Sequence, residues 1–112
     1  MKTILITGAT GFVGKQVVKA LHQTDTKIRS VIRLKESRDV TLNAVDEVIE
    51  TKDLFTENEN WWADVCKDVD TIIHLAWYAE PGKYLQSSKN IDCLGGTLQL
   101  AKGAVSAGVR RF

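Results

Sequence analysis

The chain has 112 residues, which suffices for one domain with a single core. Hydrophobic residues make up 44% of it, charged residues 26%, and the formal net charge is +1, a balance typical of a globular domain rather than a disordered segment. So small a charge gives no electrostatic basis for binding nucleic acid or a membrane surface. No apolar run approaches the length of a membrane span, and the opening segment MKTILITGAT has too short an apolar stretch for a secretory signal.

The first half of the chain alternates short apolar runs with one helical pattern. Ile4–Ile6 is an apolar run bounded by turn residues, which predicts a buried strand. From Phe12 to about Gln23 the apolar residues recur every three or four positions, which predicts a helix. Further strands are predicted over Ile28–Ile32 and Val45–Ile49, with a polar loop between them.

The second half continues this alternation. A helix is predicted over Glu57–Lys67, a strand over Thr71–Leu75, and a loop that contains the only proline over Ala76–Lys83. A long helix is predicted over Tyr84–Ala107, and Val109–Phe112 resembles the entry to a fifth strand.

Alternating strands and helices predict βαβ units with parallel strands and right-handed crossovers. We therefore expect an α/β fold with a Rossmann-type, doubly wound parallel sheet that breaks off as its fifth strand begins. Gly108 is predicted to end the long helix as its C-cap. Cys66 and Cys93 lack the spacing of a disulfide or metal pair, so we predict free buried thiols, no metal site and a reducing, cytoplasmic location.

A glycine-rich segment, TGATGFVG at Thr7–Gly14, lies between the first predicted strand and the first predicted helix. The helix N-terminus offers unpaired N–H groups and partial positive charge, so such a turn can hold an anion. The glycine spacing suits a dinucleotide pyrophosphate, because the first glycine makes the turn, the second lets the phosphates approach, and the third allows close packing of helix and strand. The candidate cofactor-binding residues here are Gly8, Thr10, Gly11, Phe12, Val13 and Gly14, with the amides of Phe12 and Val13 as donors.

The nearest alternative motif is the P-loop, G-x-x-x-x-G-K-[ST], because Gly14-Lys15 matches part of it. Ala9 stands where the first glycine is required, and Gln16 stands where Ser or Thr would hold magnesium. A glycine-rich turn without a ligand is the other alternative. The strand before the segment and the helix after it favour dinucleotide binding over both.

The end of the second strand bears on which dinucleotide would bind. An acidic residue about 20 positions beyond the glycines would hold a ribose 2′-hydroxyl, but Arg33 stands there and the first carboxylate follows at Glu36. Arg33 can pair bidentately with a 2′-phosphate, and Lys35 can add charge. We therefore predict NADP(H) rather than NAD(H); the alternative is that Arg33 is only a solvated charge at a strand end.

Five segments of the chain match, in order, the motifs of a known family. They are TGATGFVG (a TGxxGxxG fingerprint), Asp53-Leu54 (an acidic-apolar pair after strand three), His74-Leu75-Ala76 (H-x-A), Asn90 with Gly96-Thr97 (N-x-x-G-T, here with a longer gap), and Gly108–Phe112 (the approach to a catalytic strand). In these segments the chain resembles the extended short-chain dehydrogenases, the NAD(P)-dependent sugar-nucleotide epimerases, dehydratases and reductases. The resemblance implies that residues 1–112 are the N-terminal portion of an NAD(P)-binding Rossmann domain, without the substrate-binding part.

The same resemblance implies further cofactor contacts. Asp53 and Leu54 match the pair that contacts the adenine in the family. Leu75, Ala76 and Trp77 would lie along the cofactor, because the carboxyl ends of parallel strands form the binding cleft. Read without the family, Asp53 is more often a loop-capping residue.

Other motif residues also have structural interpretations. We interpret His74, at the end of an apolar strand, as a hydrogen-bonded core histidine and assign it no catalytic role. Asn90 is either a motif residue or an ordinary exposed amide. The loop Trp77–Tyr84 either approaches the sugar and nicotinamide, as the resemblance implies, or packs its aromatic side chains on neighbouring helices.

The family's chemistry needs a Tyr-x-x-x-Lys pair, in which the tyrosine is the acid or base and the lysine lowers its pKa. The chain has only Tyr78 and Tyr84, which are followed four residues later by a glycine and a serine. Lys89 lies five positions after Tyr84, one too many. We therefore assign no catalytic residue within the chain and expect the pair beyond Phe112.

These observations predict the NAD(P)-binding half of a sugar-nucleotide oxidoreductase, in which hydride passes between the nicotinamide and a nucleotide-linked sugar. The loop after strand four looks most like that of 4-keto-6-deoxyhexose nucleotide reductases, while epimerase and dehydratase chemistry stay open. One alternative is a non-sugar NADPH ketone reductase of the flavonoid or cinnamoyl type, whose strand-two arginine matches Arg33. Another is a non-catalytic NADP-sensing or scaffold protein. The full-length enzyme would bind a nucleotide sugar, and the resemblance leaves a homodimer open.

Overall fold

A computed structural model describes residues 1–80 and 82–112. Within them, four strands form one sheet in the order β3-β2-β1-β4, with every neighbouring pair parallel. The strands are β1 (Lys2–Thr7), β2 (Thr26–Arg33), β3 (Glu47–Thr51) and β4 (Thr71–His74). Because all four strands are parallel, their carboxyl ends lie at the same end of the sheet.

Three helices connect or follow these strands. They are α1 (Phe12–His22), α2 (Glu59–Val65) and α3 (Lys89–Ala107). Short 3₁₀ turns occupy Leu34–Glu36, Val40–Ala44 and Leu54–Thr56. As predicted, Gly108 ends α3 in the left-handed conformation, at φ 81°, and its N–H donates to the carbonyls of Ala104 and Val105.

The sheet is covered on both faces, which confirms the predicted Rossmann-type α/β fold. Successive side chains of a strand point to opposite faces. Leu5 accordingly packs in a cluster with Trp62 of α2 and Leu100 of α3. Its neighbour Ile6 packs in a second cluster with Val18 of α1.

Several boundaries differ from those predicted. The third strand is Glu47–Thr51 rather than Val45–Ile49, because the Val45 N–H donates to the Leu42 carbonyl and closes the 3₁₀ turn, so the strand begins only after it. The helix predicted over Glu57–Lys67 begins at Glu59, because the Asn58 side chain accepts a hydrogen bond from the Trp61 N–H at 2.9 Å and caps it.

The long helix begins at Lys89 rather than Tyr84, because the Asn90 side chain donates to the carbonyls of Tyr84 and Ser87 and holds those residues in turns. Residues 109–112 contribute one parallel bridge, between Arg111 and Thr71 of β4, which agrees with the predicted entry to a fifth strand. The segment after β4 is irregular as predicted, while Pro81, which belongs to that predicted loop, lies outside the described residues.

Both cysteines, Cys66 and Cys93, are free and buried, as predicted. Burial raises the pKa of the Cys66 thiol to about 11. Among the helices that the structure describes, none combines the length and the hydrophobicity needed to span a bilayer.

Candidate functional site

The glycine-rich turn after β1 is packed tightly at two of its three glycines. Gly8 has φ +77°, and a Cβ there would lie 2.8 Å from the Ala76 nitrogen, so the turn sits directly against the chain leaving β4. A Cβ on Gly14 would lie 1.9 Å from the Gly8 carbonyl oxygen. The first turn of α1 therefore packs on the backbone at the end of β1, which is the close approach predicted for the third glycine.

Gly11 is different, because the fold itself does not require a glycine there. Its backbone is extended, at φ −76° and ψ 174°, a conformation that any residue adopts. The nearest atom to a Cβ would be the Gly8 carbonyl oxygen at 3.4 Å, an ordinary contact. Gly11 is exposed at the N-terminus of α1, so a missing side chain there leaves open space above the first turn.

A cleft of about 610 Å³ opens above the carboxyl ends of the strands. This is where ligands bind in open parallel sheets. The structure brings nine of the predicted cofactor residues together along this cleft: Gly8, Thr10, Gly11, Arg33, Asp53, Leu54, Leu75, Ala76 and Trp77. The other three, Phe12, Val13 and Gly14, lie in the first turn of α1 and do not line it.

The side chains of Phe12 and Val13 are exposed, with 89% of Phe12 accessible to solvent. Their backbone N–H groups belong to the first turn of α1, whose amides have no acceptor within the helix. Those amides and the helix dipole favour an anion at this end. A role for Phe12 and Val13 as amide donors stays a prediction.

The 3₁₀ turn after β2 carries a carboxylate, that of Glu36, which the sequence reasoning did not include among the site residues. Arg33 Nε donates to Glu36 Oε1 at 2.8 Å, and Thr10 Oγ1 donates to Glu36 Oε2 at 2.8 Å. All three residues line the cleft. Glu36 therefore joins the glycine-rich turn to the 3₁₀ turn after β2; its position three residues beyond Arg33 was the available sequence signal.

The Asp53 side chain accepts a hydrogen bond from the Phe55 N–H at 2.9 Å, which caps the 3₁₀ turn after β3. The capping interpretation of Asp53 is therefore confirmed. Asp53 also lines the cleft together with the buried Leu54, so the contact with adenine that the family resemblance implies stays a prediction.

A partly buried polar network joins the ends of β1 and β4. The Thr7 hydroxyl oxygen accepts from the N–H groups of Leu75 at 3.1 Å and Ala76 at 3.2 Å. It lies 2.6 Å from His74 Nδ1, and His74 Nε2 lies 2.9 Å from the Thr97 hydroxyl. The sequence reasoning did not single out Thr7, which is fully buried and positions two cleft-lining residues.

The hydrogen-bond inventory of this network favours one tautomer of His74. Because the Thr7 oxygen already accepts two N–H groups, its single O–H is left to donate to His74 Nδ1. His74 then carries its proton on Nε2, which donates to Thr97. Burial lowers the pKa of His74, which favours this neutral form. The interpretation of His74 as a hydrogen-bonded core histidine is confirmed.

The loop after β4 is held against the start of α3 by Asn90. Trp77 Nε1 donates to Asn90 Oδ1 at 2.7 Å, while the Asn90 amide nitrogen donates to the carbonyls of Tyr84 and Ser87. Asn90 is therefore a connecting residue rather than an ordinary exposed amide. Its contacts hold the Trp77 indole at the cleft.

Neither tyrosine is paired with a lysine in the manner of an acid-base couple. The Lys89 ammonium lies over the face of the Tyr78 ring, 4.5 Å from its centroid, and Tyr78 donates its hydroxyl proton to Glu80 at 3.1 Å. Desolvation, together with the Glu80 carboxylate, raises the pKa of Tyr78, the opposite of what an activated tyrosine needs. Tyr78, which lines the cleft, is thus not an activated tyrosine.

A family model described as the NAD dependent epimerase/dehydratase family matches residues 4–112. The chain is 30% identical to a UDP-glucose 4-epimerase of Vibrio cholerae over 120 residues, covering 99% of this chain and 33% of that protein. It is also 30% identical to a dTDP-6-deoxy-L-talose 4-dehydrogenase (NAD(+)) of Aggregatibacter actinomycetemcomitans over 76 residues, covering 68% and 27%. The chain thus spans about a third or less of these relatives.

Solved structures show the same likeness. The structure titled gox2253 is 27% identical and superposes with a TM-score of 0.74 over 97% of this chain and 32% of that chain. A UDP-glucose-4-epimerase from Stenotrophomonas maltophila with bound NAD, 20% identical, shares the fold with a TM-score of 0.74 over 97% of this chain and 35% of that chain. The parallel sheet, the glycine-rich turn and the family match together show that the chain belongs to the NAD-dependent epimerase/dehydratase family.

Proposed function

We propose that this chain is the cofactor-binding part of a sugar-nucleotide oxidoreductase and that it favours NADP(H) over NAD(H). The observation that carries the proposal is Gly11, which the fold does not require and which stands beside the cleft at the N-terminus of α1. A glycine at a position where the backbone could accept a side chain is explained by a ligand that approaches that backbone closely. A dinucleotide pyrophosphate is an anion of the right size for this helix terminus.

The preference for NADP(H) is supported by Arg33. Its side chain is half-exposed at the cleft, and only Nε is engaged by Glu36. Within the described part of the chain the two terminal nitrogens of the guanidinium have no hydrogen-bond partner. A guanidinium with free terminal N–H groups suits a 2′-phosphate, which it can bind through two parallel hydrogen bonds.

The substrate is proposed from the relatives. The named relatives act on UDP- and dTDP-linked sugars, so we assign a nucleotide-linked hexose, with hydride transfer between the nicotinamide and a sugar carbon. Epimerase, dehydratase and 4-keto-6-deoxyhexose reductase chemistry all use this step. In this proposal residues 1–112 bind the cofactor, and the catalytic tyrosine, lysine and substrate-binding residues lie in a further part of the enzyme. The two buried free thiols, Cys66 and Cys93, support a reducing compartment such as the cytoplasm.

The test is a titration of the chain with NADPH and, separately, with NADH, followed by tryptophan fluorescence, since Trp77 lines the cleft. We expect NADPH to bind at least about tenfold more tightly, which corresponds to about 1.4 kcal/mol. Equal or reversed affinities would contradict the preference for NADP(H) and leave cofactor binding intact. No binding of either cofactor by chain that is folded by circular dichroism would contradict the proposed function itself.

Gly11→Ala separates binding from folding. The new Cβ meets no atom closer than 3.4 Å, so we expect the free energy of unfolding to change by less than about 1 kcal/mol. The same Cβ occupies the space through which the phosphates approach, so affinity for both cofactors should fall by about tenfold or more. The matched control is Gly95→Ala, where a Cβ meets nothing within 4 Å and the residue lies outside the main cleft. Unchanged affinity of the Gly11→Ala variant would contradict a phosphate site at this turn.

A further inference from the structure

Glu36 occupies a position that the proposed function does not explain. Both of its carboxylate oxygens are engaged, one by Arg33 Nε and one by the Thr10 hydroxyl, each at 2.8 Å. The Glu36 side chain is 21% exposed and the Arg33 side chain 52%. An exposed ion pair between surface residues usually contributes little, but this one stands in the lining of the cleft and is tied to the glycine-rich turn.

These contacts place the negative charge of the Glu36 carboxylate at the position where the negative charge of a 2′-phosphate would bind. A 2′-phosphate that bound the free terminal nitrogens of Arg33 would share the guanidinium with the Glu36 carboxylate. Two anions on one guanidinium repel each other, and the phosphate also gains less from a cation that is already paired. Glu36 therefore opposes the cofactor that Arg33 favours.

Glu36 interacts favourably, in contrast, with the 2′-hydroxyl of a dinucleotide that lacks the 2′-phosphate. A carboxylate accepts about four hydrogen bonds in all, and Glu36 uses two of them. A hydroxyl donor can therefore be accepted by Glu36 without displacing Arg33 or Thr10. The carboxylate thus has differential interactions with the two dinucleotides, unfavourable with the phosphate and favourable with the hydroxyl.

We infer that Glu36 is a specificity-determining residue that limits the preference for NADP(H) by competing with the 2′-phosphate for Arg33. This inference rests on the proposed function, since it requires a dinucleotide in the cleft. It goes beyond that function by assigning the balance between the two cofactors to the Arg33–Glu36 pair rather than to Arg33 alone.

The test is Glu36→Gln, which removes the charge while keeping the size of the side chain and a carbonyl oxygen that can accept from Arg33 or Thr10. NADPH affinity should rise by about fivefold, the upper end of what one partly exposed charge pair contributes. NADH affinity should stay the same or fall. The measured quantity is the ratio of the two dissociation constants, obtained by fluorescence titration of wild type and variant.

Two matched variants separate this role from a structural one. Glu50→Gln makes the same chemical change at an exposed carboxylate on β3 outside the cleft lining and should leave the ratio unchanged. Thr10→Val removes the hydroxyl that ties the turn to Glu36 but keeps the charge. It should shift affinity for both cofactors by a similar factor and so leave the ratio unchanged.

The outcomes distinguish this inference from the proposed function. If wild type binds both cofactors and Glu36→Gln shifts both affinities equally, or shifts neither, Glu36 is only a tether for the turn and the inference is overturned alone. If folded wild-type chain binds neither cofactor, the proposed function and this inference are both overturned. A rise in the NADPH preference of Glu36→Gln, absent in the two matched variants, supports it.

Discussion

At the scale of single residues, Thr7 and His74 show how one hydroxyl can organise a strand end. The Thr7 oxygen accepts the amides of Leu75 and Ala76, and its proton goes to His74 Nδ1. A second proton on the imidazole would place an N–H at Nδ1, facing a hydroxyl whose lone pairs are already used. The network therefore favours neutral His74, in agreement with the lowering of its pKa by burial.

This lowering predicts a pH dependence of stability. The unfolded chain takes up a proton on His74 at the ordinary pKa, about 6.5, whereas the folded chain resists protonation to lower pH. The unfolded state thus binds more protons in this window, so the free energy of unfolding should fall as the pH drops from about 7.5 to about 5.5. Urea unfolding of wild type and of His74→Gln at both pH values measures this pH dependence. The variant should be less stable than wild type by about 1 kcal/mol at about pH 7.5. Its free energy of unfolding should then fall by less than that of wild type when the pH is lowered.

The control for this experiment is His22→Gln, which removes the exposed histidine of α1. It should retain the difference in stability between the two pH values that His74→Gln reduces. If His74→Gln instead kept the full wild-type pH dependence, the assignment of that dependence to the buried network would be wrong.

At the scale of elements, α3 packs closely on α2 and on the 3₁₀ turn after β3, because one of its glycines faces each of them. A Cβ on Gly103 would lie 2.4 Å from the Cβ of Trp62 and 2.8 Å from the Ala63 nitrogen. A Cβ on Gly96 would lie 2.5 Å from the Cα of Phe55. Gly96 and Gly103 are thus packing residues, which allow the 3₁₀ turn after β3 and α2, respectively, to lie against this helix.

Gly103→Ala should destabilise the protein by about 1–3 kcal/mol, because an added methyl group in a close helix contact forces the elements apart. This loss should exceed the gain of up to about 1 kcal/mol in helix propensity that alanine brings. Denaturant unfolding with matched slopes measures the change. Gly95→Ala, on the same helix in open space, should show only the gain in stability from helix propensity. Equal effects of the two substitutions on stability would contradict the packing argument.

At the scale of the whole molecule, the described residues form a cleft at the strand ends, and Tyr78, which lines it, is not an activated acid-base tyrosine. Tyr78 has a raised pKa, and Lys89 contacts the face of its ring rather than its hydroxyl. The chain also spans a third or less of its curated relatives. We therefore expect this 112-residue polypeptide to bind cofactor without turning over nucleotide sugars.

The measurement is a search for conversion of UDP- and dTDP-linked hexoses by this chain with each cofactor, monitored by nicotinamide absorbance and by chromatography of the sugars. Cofactor binding without conversion is the expected result. Conversion that was lost in Gly11→Ala and Tyr78→Phe variants would show that the catalytic groups lie within these residues, against our proposal.

Local features of the fold were predictable because neighbouring residues determine them. The strand before the glycine-rich turn, the turn itself and the C-cap at Gly108 all follow from steric and hydrogen-bonding preferences that act over a few residues. The start of α3 was not predictable in this way. It depends on Asn90, whose amide reaches back to the carbonyls of Tyr84 and Ser87 and also holds Trp77.

The sequence by itself determined the parallel α/β fold and the glycine-rich turn, because periodicity and glycine spacing record which residues are buried and where the chain must turn. Asp53, Leu54 and the residues that follow β4 were assigned to the cleft from the family resemblance. Only the tertiary structure decided which of these residues act on one another. Glu36 reaches Thr10 across 26 residues, and Thr7 reaches His74 across 67. Such contacts depend on which strands become neighbours in the sheet, and no local pattern encodes the distance between two side chains that the fold brings together.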